Sequence, residues 1–100
     1  MANFRLTNKA VDDLSAIWDY TFDTWSENQA DTYYNFLIDG CRKIAKNPLL
    51  GKKYNEISNG LLGYKVGRHI LFYQVITKSE IEIIRILHEQ MDLKNRIKDK

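Results

Sequence analysis

Cysteine and proline are almost missing from this chain: Cys41 and Pro48 each stand alone among 100 residues. A single cysteine excludes an intramolecular disulfide and denies a zinc site its usual thiolates. Small secreted domains generally carry bridges, so a reducing, cytoplasmic setting is expected. Long apolar runs are absent too. The longest, Ile70 to Ile76, is interrupted by Gln74 and is too short to span a bilayer. The opening M-A-N-F-R-L-T-N-K-A has no apolar segment of the signal-peptide kind. There is no glycine-rich phosphate loop, no H-E-x-x-H, and no Ser-His-Asp order with supporting spacing. Asp12 and Asp13 are consecutive, point to different sides of a helix, and are not a carboxylate pair for one substrate. Nothing in the spacing of Cys41, His69 and His88 brings them together on a metal. No cofactor and no metal are expected.

What remains is an ordinary globule, 44% apolar and 28% charged. Its length suits one domain, residues 1–100, since a chain this size buries roughly 60–70% of its unfolded surface and supports one core. The net charge of +2 hides a polarity. Residues 1–50 hold five Lys/Arg against seven Asp/Glu, whereas residues 51–100 hold ten against six. A basic C-terminal half suits an acidic partner, although chance segregation of solvated charges would look the same.

Phe4-Arg5-Leu6-Thr7 alternates as a short strand does. Thr7 or Asn8 then caps a helix over residues 8–25, with Val11, Leu14, Trp18, Thr21 and Trp25 as its apolar stripe and Ala10 and Ile17 alongside. Asp12, Asp13, Asp19 and Asp23 fall on the other side, two of them suiting the positive helix end. Ser26-Glu27-Asn28-Gln29 has the form of a capping box and opens a second helix. Ala30, Tyr34, Leu37, Cys41 and Ile44 mark its buried stripe, widened by Tyr33, Phe36 and Ile38, and Pro48 stops it. So short a connection makes an antiparallel hairpin. Residues 47–63, with three glycines, three asparagines and the proline, read as loop. Three strands follow: Tyr64 to Val66, His69 to Thr77 and Glu80 to His88, joined at Gly67-Arg68 and Lys78-Ser79. In the last, Ile81, Ile83, Arg85 and Leu87 share one parity and Ile84 and Ile86 the other, which marks a central strand. The fold class is α+β, in the order β-α-α-β-β-β, with a helical hairpin packed on one face of a small antiparallel sheet that the first strand joins.

Lys65, Arg68, His69, Arg85 and His88 lie on adjacent strands, with Glu56 in the loop before. Cations over a sheet could hold a phosphate while a histidine and Glu56 move protons in RNA cleavage. The plainer alternative has Arg85 lying flat and pairing with an acid of the first helix, and His88 hydrogen-bonding the chain as it turns after the strand.

Six stretches, in this order, resemble a known family. They are F-R-L-T-N-K-A-V-D-D-L-S-A-I-W-D-Y-T, W-S-E-N-Q-A-D-T-Y, N-P-L-L-G-K, E-I-S-N-G, V-G-R-H-I-L-F-Y and R-I-L-H-E-Q-M-D. Together they cover about nine tenths of the chain and are similar to the ParE toxins of type II toxin–antitoxin modules, within the RelE/ParE superfamily. The resemblance implies the same β-α-α-β-β-β order. It implies a non-enzymatic toxin that inhibits DNA gyrase by binding, neutralised by a ParD-like antitoxin. No sequence-specific DNA binding by the toxin alone and no membrane association are expected. The RelE branch implies the alternative, a ribosome-dependent mRNA endonuclease, with Glu56, Lys65, Arg68 and His88 as catalytic candidates. Two departures, Ser58 where the family usually has Arg and Leu61-Leu62 where it often has Tyr-Arg, remove positive charge before the sheet. In the binding reading, Lys65, Arg68, Arg85 and His88 form the target surface, with Arg85 and His88 serving either architecture or target contact. Trp18, Phe22 and Trp25 are the antitoxin candidates. Phe22, turned about 100° from Thr21, is expected to leave a partly exposed patch near Tyr33 and Phe36.

Overall fold

Thr7 joins the first strand to the first helix and ties both to the far end of the chain. Its hydroxyl accepts the Ala10 N–H as an N-cap (3.1 Å) and donates to the Ile84 carbonyl (2.7 Å), while its own N–H reaches the Ile83 carbonyl (3.0 Å). The computed structural model describes residues 2–90 and residue 97; Met91 and Asp92 of the closing motif lie outside the described residues.

The elements run β1 (Asn3–Leu6), α1 (Asn8–Thr24), α2 (Glu27–Lys46), a 3-10 turn (Pro48–Leu50), β2 (Lys52–Lys53), β3 (Leu62–Val66), β4 (His69–Thr77) and β5 (Glu80–His88). Ser26 caps α2 through the Gln29 N–H at 3.1 Å, as the capping-box sequence predicts. The sheet order is β1-β5-β4-β3-β2. β5 is central, as its two-sided apolar pattern predicts. The β3–β4 turn is Gly67-Arg68, in which Gly67 has φ +60°, suiting the type II′ turn that favours glycine at its first central position.

Three corrections concern the sheet. β1 pairs parallel with β5, so the sheet is mixed rather than antiparallel: the two helices carry the chain to the opposite edge, and three antiparallel steps from β2 bring β5 back beside β1 in the direction of β1. A fifth strand, β2, comes from the stretch read as loop; two residues are too few to show alternation. The parity reading of β5 also fails. Phe72 pairs with Arg85 but Tyr73 pairs with Ile83, so Ile84 is a bulged residue. Past the bulge the faces exchange. Ile81, Ile83 and Ile86 pack under the helices with Leu14, Leu37 and Ile44, while Ile84 and Leu87 join Leu61, Ile70, Phe72 and Ile97 on the opposite face.

The helices differ from the periodicity reading at their margins. Ala10 and Leu14 are buried with Ile17 half-buried beside them, but Val11 is 45% and Trp25 71% exposed. In α2 the stripe is Ala30, Leu37, Gly40, Cys41, Ile44 and Ala45, and Tyr34 lies outside it. Asp12 and Asp13 sit one turn too late for the first-turn dipole role, and Asp13 faces the sheet rather than solvent. Cys41 is fully buried and its thiol is pushed up to about 12 by burial, the state of an inert apolar filler. Among the described residues no helix is long and apolar enough to cross a membrane.

Candidate functional site

Among the described residues no strand flanks β5 on the β1 side beyond Leu6, and α1 supplies partners there. Asp13 accepts the Ile86 N–H at 3.0 Å. The same carboxylate receives Arg85 Nε at 2.8 Å and Nη2 at 2.9 Å, a bidentate pair in which both side chains are about 15% exposed or less. The reading of Arg85 as a flat residue paired with an acid of helix one therefore holds, and the acid is Asp13.

The end of β5, the β3–β4 turn and the last turns of α1 enclose a groove of about 800 Å³. Ile17, Tyr20 and Trp25 line it from α1 and its C-cap, Tyr33 from α2, and Arg68, His69, Arg85 and His88 from the sheet and its β3–β4 turn. His69 and His88 are directly paired on β4 and β5, and their rings meet edge to face at 5.3 Å and 84°. His88 Nδ1 accepts the Gln90 N–H at 3.1 Å, the chain-end hydrogen bond that the sequence suggested. His69 Nδ1 lies 2.7 Å from the Tyr33 hydroxyl, which also accepts the Arg68 N–H at 3.1 Å. Burial, reinforced by the neighbouring His88, lowers the His69 imidazole to about 4, although Glu89 and Asp13 oppose the shift. Burial raises the Tyr33 phenol, the Arg68 backbone bond opposing it.

Thus Arg68, Arg85 and His88 come together in one groove, with His69. The other two catalytic candidates do not join them. Lys65 pairs with Glu89 at 2.8 Å and is not a lining residue; that bond is the chief cause of the lowered Glu89 carboxyl. Glu56 is exposed in the loop whose Tyr54 and Ile57 pack on the face of the sheet opposite α1 and α2. Sequence reasoning missed Asp13 and gave Tyr33 only a packing role. No local pattern marks Tyr33: only the folded chain brings it against the Gly67 turn, where a Cβ on Gly67 would lie 2.8 Å from the Tyr33 hydroxyl. Among the described residues no group of His, Cys, Asp or Glu side chains converges to hold a metal ion.

The three aromatic candidates on α1 separate. Trp18 donates from Nε1 to Asp31 at 3.0 Å and stacks on Phe22, 5.2 Å between centroids, at the seam with α2. Phe22 is 43% exposed. Its ring partner is thus Trp18, whereas Tyr33 and Phe36 lie over the Gly67 turn. Trp25, the C-cap of α1, belongs to the groove wall instead.

Residues 4–93 match the family model described as the ParE toxin of type II toxin–antitoxin system, parDE. The chain is 35% identical to Toxin ParE1 of Mycobacterium tuberculosis (strain ATCC 25618 / H37Rv) over 92 residues, covering 92% of this chain and 94% of that one. It is 34% identical to Toxin ParE1 of Caulobacter vibrioides over 92 residues, with the same coverage. A solved chain titled "Chromosomal ParDE TA system from P. aeruginosa" shares the fold, with a TM-score of 0.75 at 20% identity over 88% of this chain and 96% of that chain. The family model over residues 4–93 and relatives of 34–35% identity along nearly the whole chain place this protein, with its two-helix layer on a five-stranded mixed sheet, in the ParE toxin family of type II toxin–antitoxin systems.

Proposed function

We propose that this toxin acts by binding DNA gyrase rather than by catalysis, in the cytoplasm, and that a ParD-like antitoxin neutralises it. The observation that carries the binding reading is the state of the groove's polar groups. Arg85 is held bidentate by Asp13, and the Nδ1 atoms of His69 and His88 are both engaged by neighbouring groups. Such an arrangement suits a fixed recognition surface better than an acid–base pair, which needs a ring nitrogen available to take up a proton from the substrate. Target contacts are assigned to Arg68, Arg85 and His88 in the groove and to Lys65 beside it. Antitoxin contacts are assigned to Trp18, Phe22 and Trp25; the exposed rings of Phe22 and Trp25, with the half-buried Trp18 stacked on Phe22, suit an amphipathic segment. Contact with the module's promoter DNA comes through the antitoxin.

The test is a gyrase supercoiling assay with purified toxin. Inhibition with accumulation of cleaved complex is expected. Neither effect at large molar excess over gyrase would refute the proposal. In a translation extract, Glu56→Ala and His88→Ala are expected to produce no change in mRNA ends. New ends made by the wild type and lost in both variants would favour the endonuclease instead.

A further inference from the structure

His69 and His88 are joined to the backbone in a way that decides where each ring carries its hydrogen. His88 Nδ1 accepts the Gln90 N–H, so its hydrogen sits on Nε2. At His69 the donors run in series. The Arg68 N–H donates to the Tyr33 oxygen, which occupies one acceptor direction and favours the phenol hydrogen turning to Nδ1, 2.7 Å away. With the phenol as donor, His69 also carries its hydrogen on Nε2. We propose that these paired rings are held as neutral Nε2–H tautomers and, with the Arg68 guanidinium, anchor a carboxylate of a partner peptide whose apolar side chains lie along the groove past Tyr20 and Trp25.

Charge and shape argue for this occupant. Among the described residues the only acid lining the groove is Asp13, and it is matched by Arg85, so Arg68 leaves the donor end with surplus positive charge. Glu89, whose charge is felt by Arg68 and His88, is engaged by Lys65. Apart from Thr21 and Gln29 the rest of the groove is aromatic and apolar, with Tyr20 69% and Trp25 71% exposed. A nucleic-acid backbone would need cations spaced along its path. Donors at one end and an apolar wall beyond suit a peptide with a single acidic anchor. Both rings are oriented before the ligand arrives, so little freedom is lost when it binds.

The inference rests on the reading of the toxin as a protein-binding module but is tested apart from gyrase. Long-range proton–nitrogen NMR of the imidazoles at neutral pH should show both as Nε2–H. Hexanoate, a carboxylate with an apolar tail, is titrated against the isosteric hexanamide and against inorganic phosphate. Hexanoate should move both Nε2–H signals with one shared midpoint in the millimolar range, about the affinity one charged contact and a short chain supply. Hexanamide should bind about tenfold more weakly or not at all, the effect of losing one charge-assisted hydrogen bond. Arg68→Gln, an exposed position that leaves the fold intact, should weaken hexanoate similarly, and Tyr33→Phe should let His69 take up the other tautomer. An Nδ1–H form in the wild type would overturn the proposal. So would equal binding of acid and amide, or no saturable shift up to about 50 mM. Phosphate binding as tightly as hexanoate would overturn it in favour of a nucleic-acid backbone. Failure of gyrase inhibition with the hexanoate contrast intact would remove the target reading and leave the anchor standing.

Discussion

Replacing Asp13 with alanine should be among the most damaging single changes in this protein, although Asp13 lies on a helix that reads as amphipathic and solvent-facing there. The carboxylate receives three hydrogen bonds, two from Arg85 and one from the Ile86 N–H, at 2.8 to 3.0 Å. Breaking a buried pair from one side costs about 3–5 kcal/mol, mostly for the charge left behind. With both partners about 15% exposed, solvent screens part of that, and about 2 kcal/mol remains. The unpartnered Ile86 N–H adds about 1 kcal/mol. The total, about 3 kcal/mol, should lower the melting temperature by roughly 12–24 °C at the scale of about 4–8 °C per kcal/mol for a domain this size. Asp13→Asn retains an acceptor for Ile86 and should lose only about 2 kcal/mol. A double-mutant cycle with Arg85→Met, read by urea unfolding, should give a coupling of at least about 1.5 kcal/mol. A loss below about 1 kcal/mol in Asp13→Ala, with coupling near zero, would refute the reasoning.

Three further outcomes are expected. Because burial holds the folded His69 imidazole at about 4 against an ordinary 6.5, the unfolded chain binds more protons between those values. Stability should therefore be complete above pH 6.5 and fall as the pH drops toward 4, by about 1–2 kcal/mol once solvent screening of this half-buried ring is allowed for; urea unfolding across that range should show the decline, and His69→Gln should flatten it. Phe22→Ala should change thermal stability little, since Phe22 is 43% exposed, while weakening the cognate antitoxin by about tenfold in calorimetry; a fall of several degrees with affinity retained would make it a packing residue. Gly40→Ala would place its Cβ 2.7 Å from Val66 Cγ2 and 3.1 Å from Leu71 Cδ1, so a loss of about 1–3 kcal/mol is expected in denaturant unfolding.

Much of this protein is written in local patterns. The caps at Thr7 and Ser26 and the stop at Pro48 are local chemistry, so α1 and α2 fall where the sequence places them, to within a residue or two. The turns at Gly67-Arg68 and Lys78-Ser79 and the two-sided β5 are local as well, and with the helical hairpin they determine an α+β fold. Of the candidate site, the sequence supplied Arg68, His69, Arg85 and His88 by their places on neighbouring strands, and offered an acid of α1 as partner for Arg85.

The tertiary structure alone decided the rest, because each remaining feature depends on residues far apart in the chain. Asp13 faces the sheet because β1 ends at Leu6 and leaves the Ile86 N–H for α1 to satisfy across 73 residues. The bulge at Ile84 exchanges the faces of β5 midway, and a strict two-residue period carries no mark of it. Glu56 and Lys65 stand near the cluster in sequence, yet packing of Tyr54 and Ile57 draws the loop to the opposite face and Glu89 takes up Lys65. Tyr33 reads as a packing residue along its own helix. Only the approach of the Gly67 turn, 35 residues on, gives its hydroxyl the Arg68 N–H, and with it a hold on the His69 ring.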